Sequence, residues 1–133
     1  MDFKLCYKTY EFKPSLKAIK QLKEYTGLDM WGVLSKYTTT FLKCSSDNLG
    51  TTDILHNLSE VLGFVDAAQL FYCLASQSSS VTIDEIEDAM WHAGILATNN
   101  NDDMSCPYPI ILYKVAIDIN KYHETLRAET KKP

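Results

Sequence analysis

The chain of 133 residues carries a formal net charge of −4, with 46% hydrophobic and 11% aromatic residues. That composition excludes a disordered chain, and the length suffices to bury a core without metal or disulfide staples. The apolar runs fall far short of the ~20 residues of a membrane-spanning helix, so no membrane association is expected.

The N-terminus "MDFKLCYKTYEFKP" lacks the apolar segment of a signal peptide, which makes the cytosol the expected site of action. Within it Phe3, Leu5 and Tyr7 alternate with polar residues, and Tyr10 and Phe12 resume after Lys8 and Thr9. This predicts a short hairpin over residues 1–13. Lys8-Thr9 is a poor tight-turn pair, lacking the Gly or Asn that such a turn wants. Pro14 opens a helix with Leu16, Ile19, Leu22 and Tyr25 on one face, closing near Gly27. Asp29 is placed to cap a second helix bearing Met30, Leu34, Tyr37 and Phe41, although "YTTT" is poor helical sequence. After the polar stretch "CSSDNLG", Thr52 or Asp53 is the candidate cap of a helix with Ile54, Leu58, Val61 and Leu62 on one side. Asp66 is the candidate cap of the next, where Ala67, Leu70, Phe71 and Leu74 recur at i, i+3, i+4 and i+7.

The most firmly specified helix lies in "SSSVTIDEIEDAMWHAGIL". Thr82 and Glu85 have the spacing of a capping box, in which the hydroxyl takes the Glu85 amide and the carboxylate takes the Thr82 amide. Val81 and Ile86 have the spacing of a hydrophobic staple. Asp84, Glu85, Glu87 and Asp88 crowd the positive end of the helix dipole. Ile83, Ile86, Met90 and Ala93 form the apolar face, and Gly94 suits a left-handed cap. The segment has the cadence of an EF-hand exit helix, yet "SQSSSV" before it holds no carboxylate, which excludes calcium. Further on, "IILYKVAIDIN" alternates like a strand, while Ile111, Val115, Ile119, Tyr122 and Leu126 trace a helical face. The lack of a turn signal over this long run favours helix. The expected fold is mainly α: about six helices in one domain, with a β element at 1–13, a helical body at 14–128 and a tail at 129–133.

Chemical signatures are sparse. No glycine-rich phosphate loop or nucleophile elbow occurs, so no catalytic residue and no cofactor is assigned. Cys6, Cys44, Cys73 and Cys106 are dispersed, as are His56, His92 and His123, which argues for free thiols and against a metal site. Asp88 and His92, at i and i+4, are expected as a surface pair rather than a base and its orienter. Asp102 and Asp103 are expected to be solvated, and Trp31 and Trp91 to be buried in the core.

Charge is segregated. Residues 1–43 hold eight Lys against four acidic residues, residues 44–105 hold ten acidic residues and no Lys or Arg, and residues 106–133 carry +2. The acidic centre would repel phosphate, so nucleic acid is not an expected partner. It can be neutralised within the chain, or by the basic part of another copy or partner. Because an isolated hairpin is marginal in water, Phe3, Leu5, Tyr7, Tyr10 and Phe12 are candidate self-association residues, unless they pack on the chain's own helices. Asp84, Glu85, Glu87 and Asp88 are the candidate partner-binding residues of the acidic helix.

The layout of "DFKLCYKT", "LKAIKQLKEYTGLDMWGVLSK" and "AAQLFYCLASQSSSVTIDEIEDAM" resembles the tail assembly chaperones of long-tailed (siphophage) bacteriophages and their relatives in gene transfer agents. The resemblance covers most of residues 1–95; the C-terminal third departs from the pattern. It implies a non-enzymatic protein that coats the tape measure protein, keeps it soluble and recruits tail tube subunits. It further implies action in the host cell cytoplasm and absence from the mature virion, whereas a homo-oligomer is the expectation raised by the hairpin and the charge segregation. The alternative of a different class is a small cytosolic enzyme or ligand-binding helical domain.

Overall fold

A two-stranded antiparallel sheet precedes six helices in the computed structural model, which describes residues 1–6, 8–95 and 106–130. Strands β1 (Asp2–Leu5) and β2 (Lys8–Glu11) pair with Phe3 opposite Tyr10 and Leu5 opposite Lys8. The chain therefore turns between Leu5 and Lys8, and Lys8 and Thr9 belong to β2 instead of forming the turn. Cys6, directly after β1, has a positive φ of 56°, the left-handed conformation that tight hairpin connections favour. Phe12 adds a further bond, donating its N–H to the Met1 carbonyl at 2.9 Å.

The period-2 alternation turns Phe3, Leu5, Tyr10 and Phe12 to one face, and all four are buried against the chain's own helices. Phe3 is the hub, with ring centroids 5.4 Å from Tyr10, 5.6 Å from Phe12 and 4.8 Å from Phe71. These apolar side chains are thus not an exposed surface awaiting a second copy: intramolecular packing covers them. Tyr7 lies outside the described residues.

Helix α1 (Leu16–Thr26) is capped by Ser15, whose hydroxyl accepts from the Ala18 amide at 3.2 Å, and ends at Gly27 in the left-handed region. It buries Ala18 and Leu22, while Leu16 and Tyr25, expected on the core face, stand in solvent. Helix α2 (Met30–Ser46) starts at Asp29, whose carboxylate accepts from Gly32 N–H at 2.9 Å. It continues through Cys44 into the stretch read as polar linker, and Cys44 is buried. The threonine run is accommodated because Thr38 and Thr39 return their hydroxyls to carbonyls one turn back, at 2.9 and 2.8 Å from Ser35 O.

Helices α3 (Thr51–Val61) and α4 (Phe64–Ala75) both begin at a glycine, Gly50 and Gly63, with no side-chain cap. Asp53 and Asp66 sit in the first turn instead, where the dipole favours them without a cap bond. The apolar stripe of α4 is buried as expected, and Ala68, Cys73 and Ala75 are buried with it. This helix is central: α1 and α5 (Ile83–Ala93) both pack on it. Helix α6 (Tyr108–Thr130) settles the ambiguous segment as helix, runs into the region expected as tail, and packs on α2, α3 and β1. Phe41 of α2 stacks on Tyr113 of α6 at 4.0 Å.

Buried residues from the sheet and from α1 through α6 join in one hydrophobic core. Among the described residues no single helix is long and apolar enough to cross a membrane. The pair α3 and α4 meets that composition together only across a 76° bend, and the apolar face of α4 lies in the core.

Candidate interaction surface

Helix α5 is fixed at both ends. Thr82 caps it as expected, its hydroxyl accepting from Glu85 N–H at 3.1 Å. The return half of the capping box is absent: the Glu85 carboxylate turns outward and takes the Lys8 ammonium of β2. Both side chains keep substantial exposure, so this pair ties strand to helix at small energetic gain. At the far end Gly94 adopts φ 77° and ψ 176°, not the left-handed cap expected but a region almost confined to glycine. Its carbonyl accepts from Tyr108 N–H at 2.9 Å, which seats the start of α6 beside the end of α5.

Between these anchors Ile86, Met90 and Ala93 face the core. The opposite stripe carries Asp84, Glu87, Asp88 and Trp91, residues spaced three, four and seven apart and so stacked along one side. Asp84 and Asp88 are exposed and Glu87 is half-buried. Trp91, expected in the core, is 76% exposed, and Trp31 of α2 is also on the surface. Beside Trp91 an apolar cleft of about 310 Å³ is lined by Phe64, Met90, Gly94, Ile95 and Tyr108. Val65 stands exposed next to Phe64.

The remaining candidates are dispersed. His92 sets Nδ1 2.8 Å from the Asp88 carbonyl and 3.7 Å from its carboxylate, an exposed pair with no nucleophile assigned to it. His56 pairs with Glu60 at 3.0 Å on α3. His123 meets the Trp31 ring edge-on at 4.4 Å. Cys6, Cys44, Cys73 and Cys106 are free thiols, and among the described residues no three metal-ligating side chains converge. Asp102 and Asp103 lie outside the described residues. Burial raises the Cys73 thiol to about 11, an inert setting for sulfur. Burial, helped by the Glu85 and Asp88 carboxylates, raises the Tyr10 phenol to about 12.

Lys8–Glu85 is the one pair of a Lys or Arg with a carboxylate among the described residues. Among the described residues the acidic and basic segments thus meet in this single ion pair. What the arrangement offers chemically is recognition: an exposed indole and an apolar cleft at the end of an acidic ridge. Aromatic residues beside such clefts are the usual anchors of protein interfaces. Reasoning from sequence missed Trp91 by treating it as core. The signal was present, since Trp91 lies seven residues from Asp84 and on the side opposite Ile86 and Met90. Compared with known proteins, the chain matches no family model, no curated sequence and no solved structure.

Proposed function

We propose that this chain is a non-enzymatic interaction protein, a tail assembly chaperone of a long-tailed bacteriophage. In this reading it binds the tape measure protein in the host cell cytoplasm, recruits tail tube subunits, and is left out of the finished virion. Trp91 carries the reading: a chain that buries a full core leaves one of its two tryptophans 76% exposed, on a helix held at both ends. Continuous with the apolar cleft beside it, the indole forms the kind of exposed patch that a partner covers. The resemblance over residues 1–95 supplies the identity of the partner, and the acidic ridge makes nucleic acid a poor one.

The test is co-expression with the tape measure protein encoded in the same genome. The chain is expected to carry that protein into the soluble fraction and to co-purify with it, and Trp91→Ala to weaken both effects. A tape measure protein equally insoluble with and without the chain refutes the reading.

A further inference from the structure

We infer that copies of this chain associate head to tail, the basic outer face of α1 on one copy covering the Trp91 ridge of α5 on the next. The inference goes beyond the tail-assembly reading and does not depend on it. Its starting point is the complementary surface that α1 exposes. Leu16, Lys17, Lys20 and Lys23, with Glu24 the one acidic residue among them, stand in solvent on the side of α1 away from Ala18 and Leu22; Leu16 is 66% exposed, and the Lys23 ammonium donates to the Gly27 carbonyl at 2.8 Å. An aliphatic side chain at the start of a basic stripe mirrors an indole at the end of an acidic one.

The two stripes share a spacing. Lys20 and Lys23 follow Leu16 by four and seven residues; Glu87 and Asp84 precede Trp91 by four and seven. Laid antiparallel, the helices put Leu16 on Trp91, Lys20 at Glu87 and Lys23 at Asp84, each stripe running about 10 Å. The antiparallel arrangement also opposes the helix dipoles favourably. Within one copy the contact cannot form, because α1 and α5 both pack on α4 and turn these faces away from it. Two different faces meeting on successive copies make a heterologous contact, which builds rings or open spirals instead of closed two-fold dimers.

Sedimentation of the purified chain at tens of micromolar, in low and high salt, tests the contact. The wild type is expected to form species larger than a dimer in low salt and to fall to monomer in high salt. Lys20→Glu with Lys23→Glu, and separately Asp84→Lys with Glu87→Lys, should each leave a monomer. Mixed together, the two variants offer each other one native pair of faces and one charge-swapped pair, so association beyond a dimer should return, with the two variants alternating in 1:1 ratio. Trp91→Ala should weaken association about tenfold or more. Retained helicity by circular dichroism establishes that each variant is folded. A wild type monomeric in low salt, oligomers indifferent to both charge reversals, or a mixture that stays monomeric overturns the inference. No tape measure protein is present, so this outcome and that of the co-expression stand apart.

Discussion

Tyr37 offers the sharpest test of the packing. Its ring is fully buried in α2, and its hydroxyl finds no hydrogen-bond partner among the described residues. A buried hydroxyl without a partner costs roughly 1–3 kcal/mol of lost hydration. Tyr37→Phe keeps the ring and removes the oxygen, leaving a gap smaller than a methyl group, so the loss of packing offsets only part of the gain. The variant should be about 1 kcal/mol more stable, a rise in Tm of about 3–5 °C for a chain of this length. The effect should also grow with pH. Burial, with Tyr108 nearby, holds the Tyr37 phenol well above its ordinary value. The unfolded chain ionises near pH 10 while the folded chain stays protonated. The stability contributed by a neutral Tyr37 is therefore present below about pH 10 and lost above it, at about 1.4 kcal/mol per pH unit. The variant lacks that loss, so the gap between the two proteins should widen from pH 9 to pH 11. Urea unfolding at both pH values measures it. A variant less stable than wild type by 1 kcal/mol or more, or a gap constant with pH, refutes the reasoning.

Three further outcomes are expected. Thr82→Ala should cost about 1 kcal/mol in denaturant unfolding, the usual loss for an N-cap hydroxyl, and an unchanged midpoint would show that the 3.1 Å contact contributes nothing. Gly94→Ala should cost more than Gly27→Ala. A Cβ meets no atom within 4 Å at either site, so only the backbone differs, and ψ of 176° at Gly94 lies farther from what alanine tolerates than ψ of −2° at Gly27; equal losses would contradict this. In native conditions a thiol reagent should label half-buried Cys6 and Cys106 well before buried Cys44 and Cys73, read by mass spectrometry, and early labelling of Cys73 would contradict its raised thiol.

Much of the fold was legible because strong local signals agree with the tertiary outcome. The i, i+3, i+4, i+7 stripe of α4, the Thr82 cap and the alternation of Phe3 and Leu5 each fix one element without reference to the others. The misses share a cause. Leu16 and Tyr25 are apolar at helical spacing, yet a short helix docked on α4 and α2 buries only a narrow side, and Ala18 and Leu22 occupy it. Asp53 and Asp66 read as caps because an acidic residue near a helix start is favourable both at the cap and three residues inside it; the glycine before each helix took the cap position. Trp91 was legible by angle but not by chemistry, since hydrophobicity alone sends an indole inward. The acidic ridge was correctly placed on the surface, but its apolar neighbours Phe64 and Ile95 come from α4 and from beyond the end of α5, which no local pattern brings together.

Helix α6 has two halves with different reasons to be helical. From Tyr108 to Ile119 its buried side chains are locked in the core, whereas from Asn120 to Thr130 every residue is exposed or half-exposed. That tip is about 16 Å of helix, too short to persist alone in water. Its amides should exchange with solvent by local opening, while those at the root wait for global unfolding. One unbroken hydrogen-bond ladder thus spans a wide range of lifetimes. Any molecule that grips the tip must first capture its helical fraction, and its apparent affinity falls by that fraction.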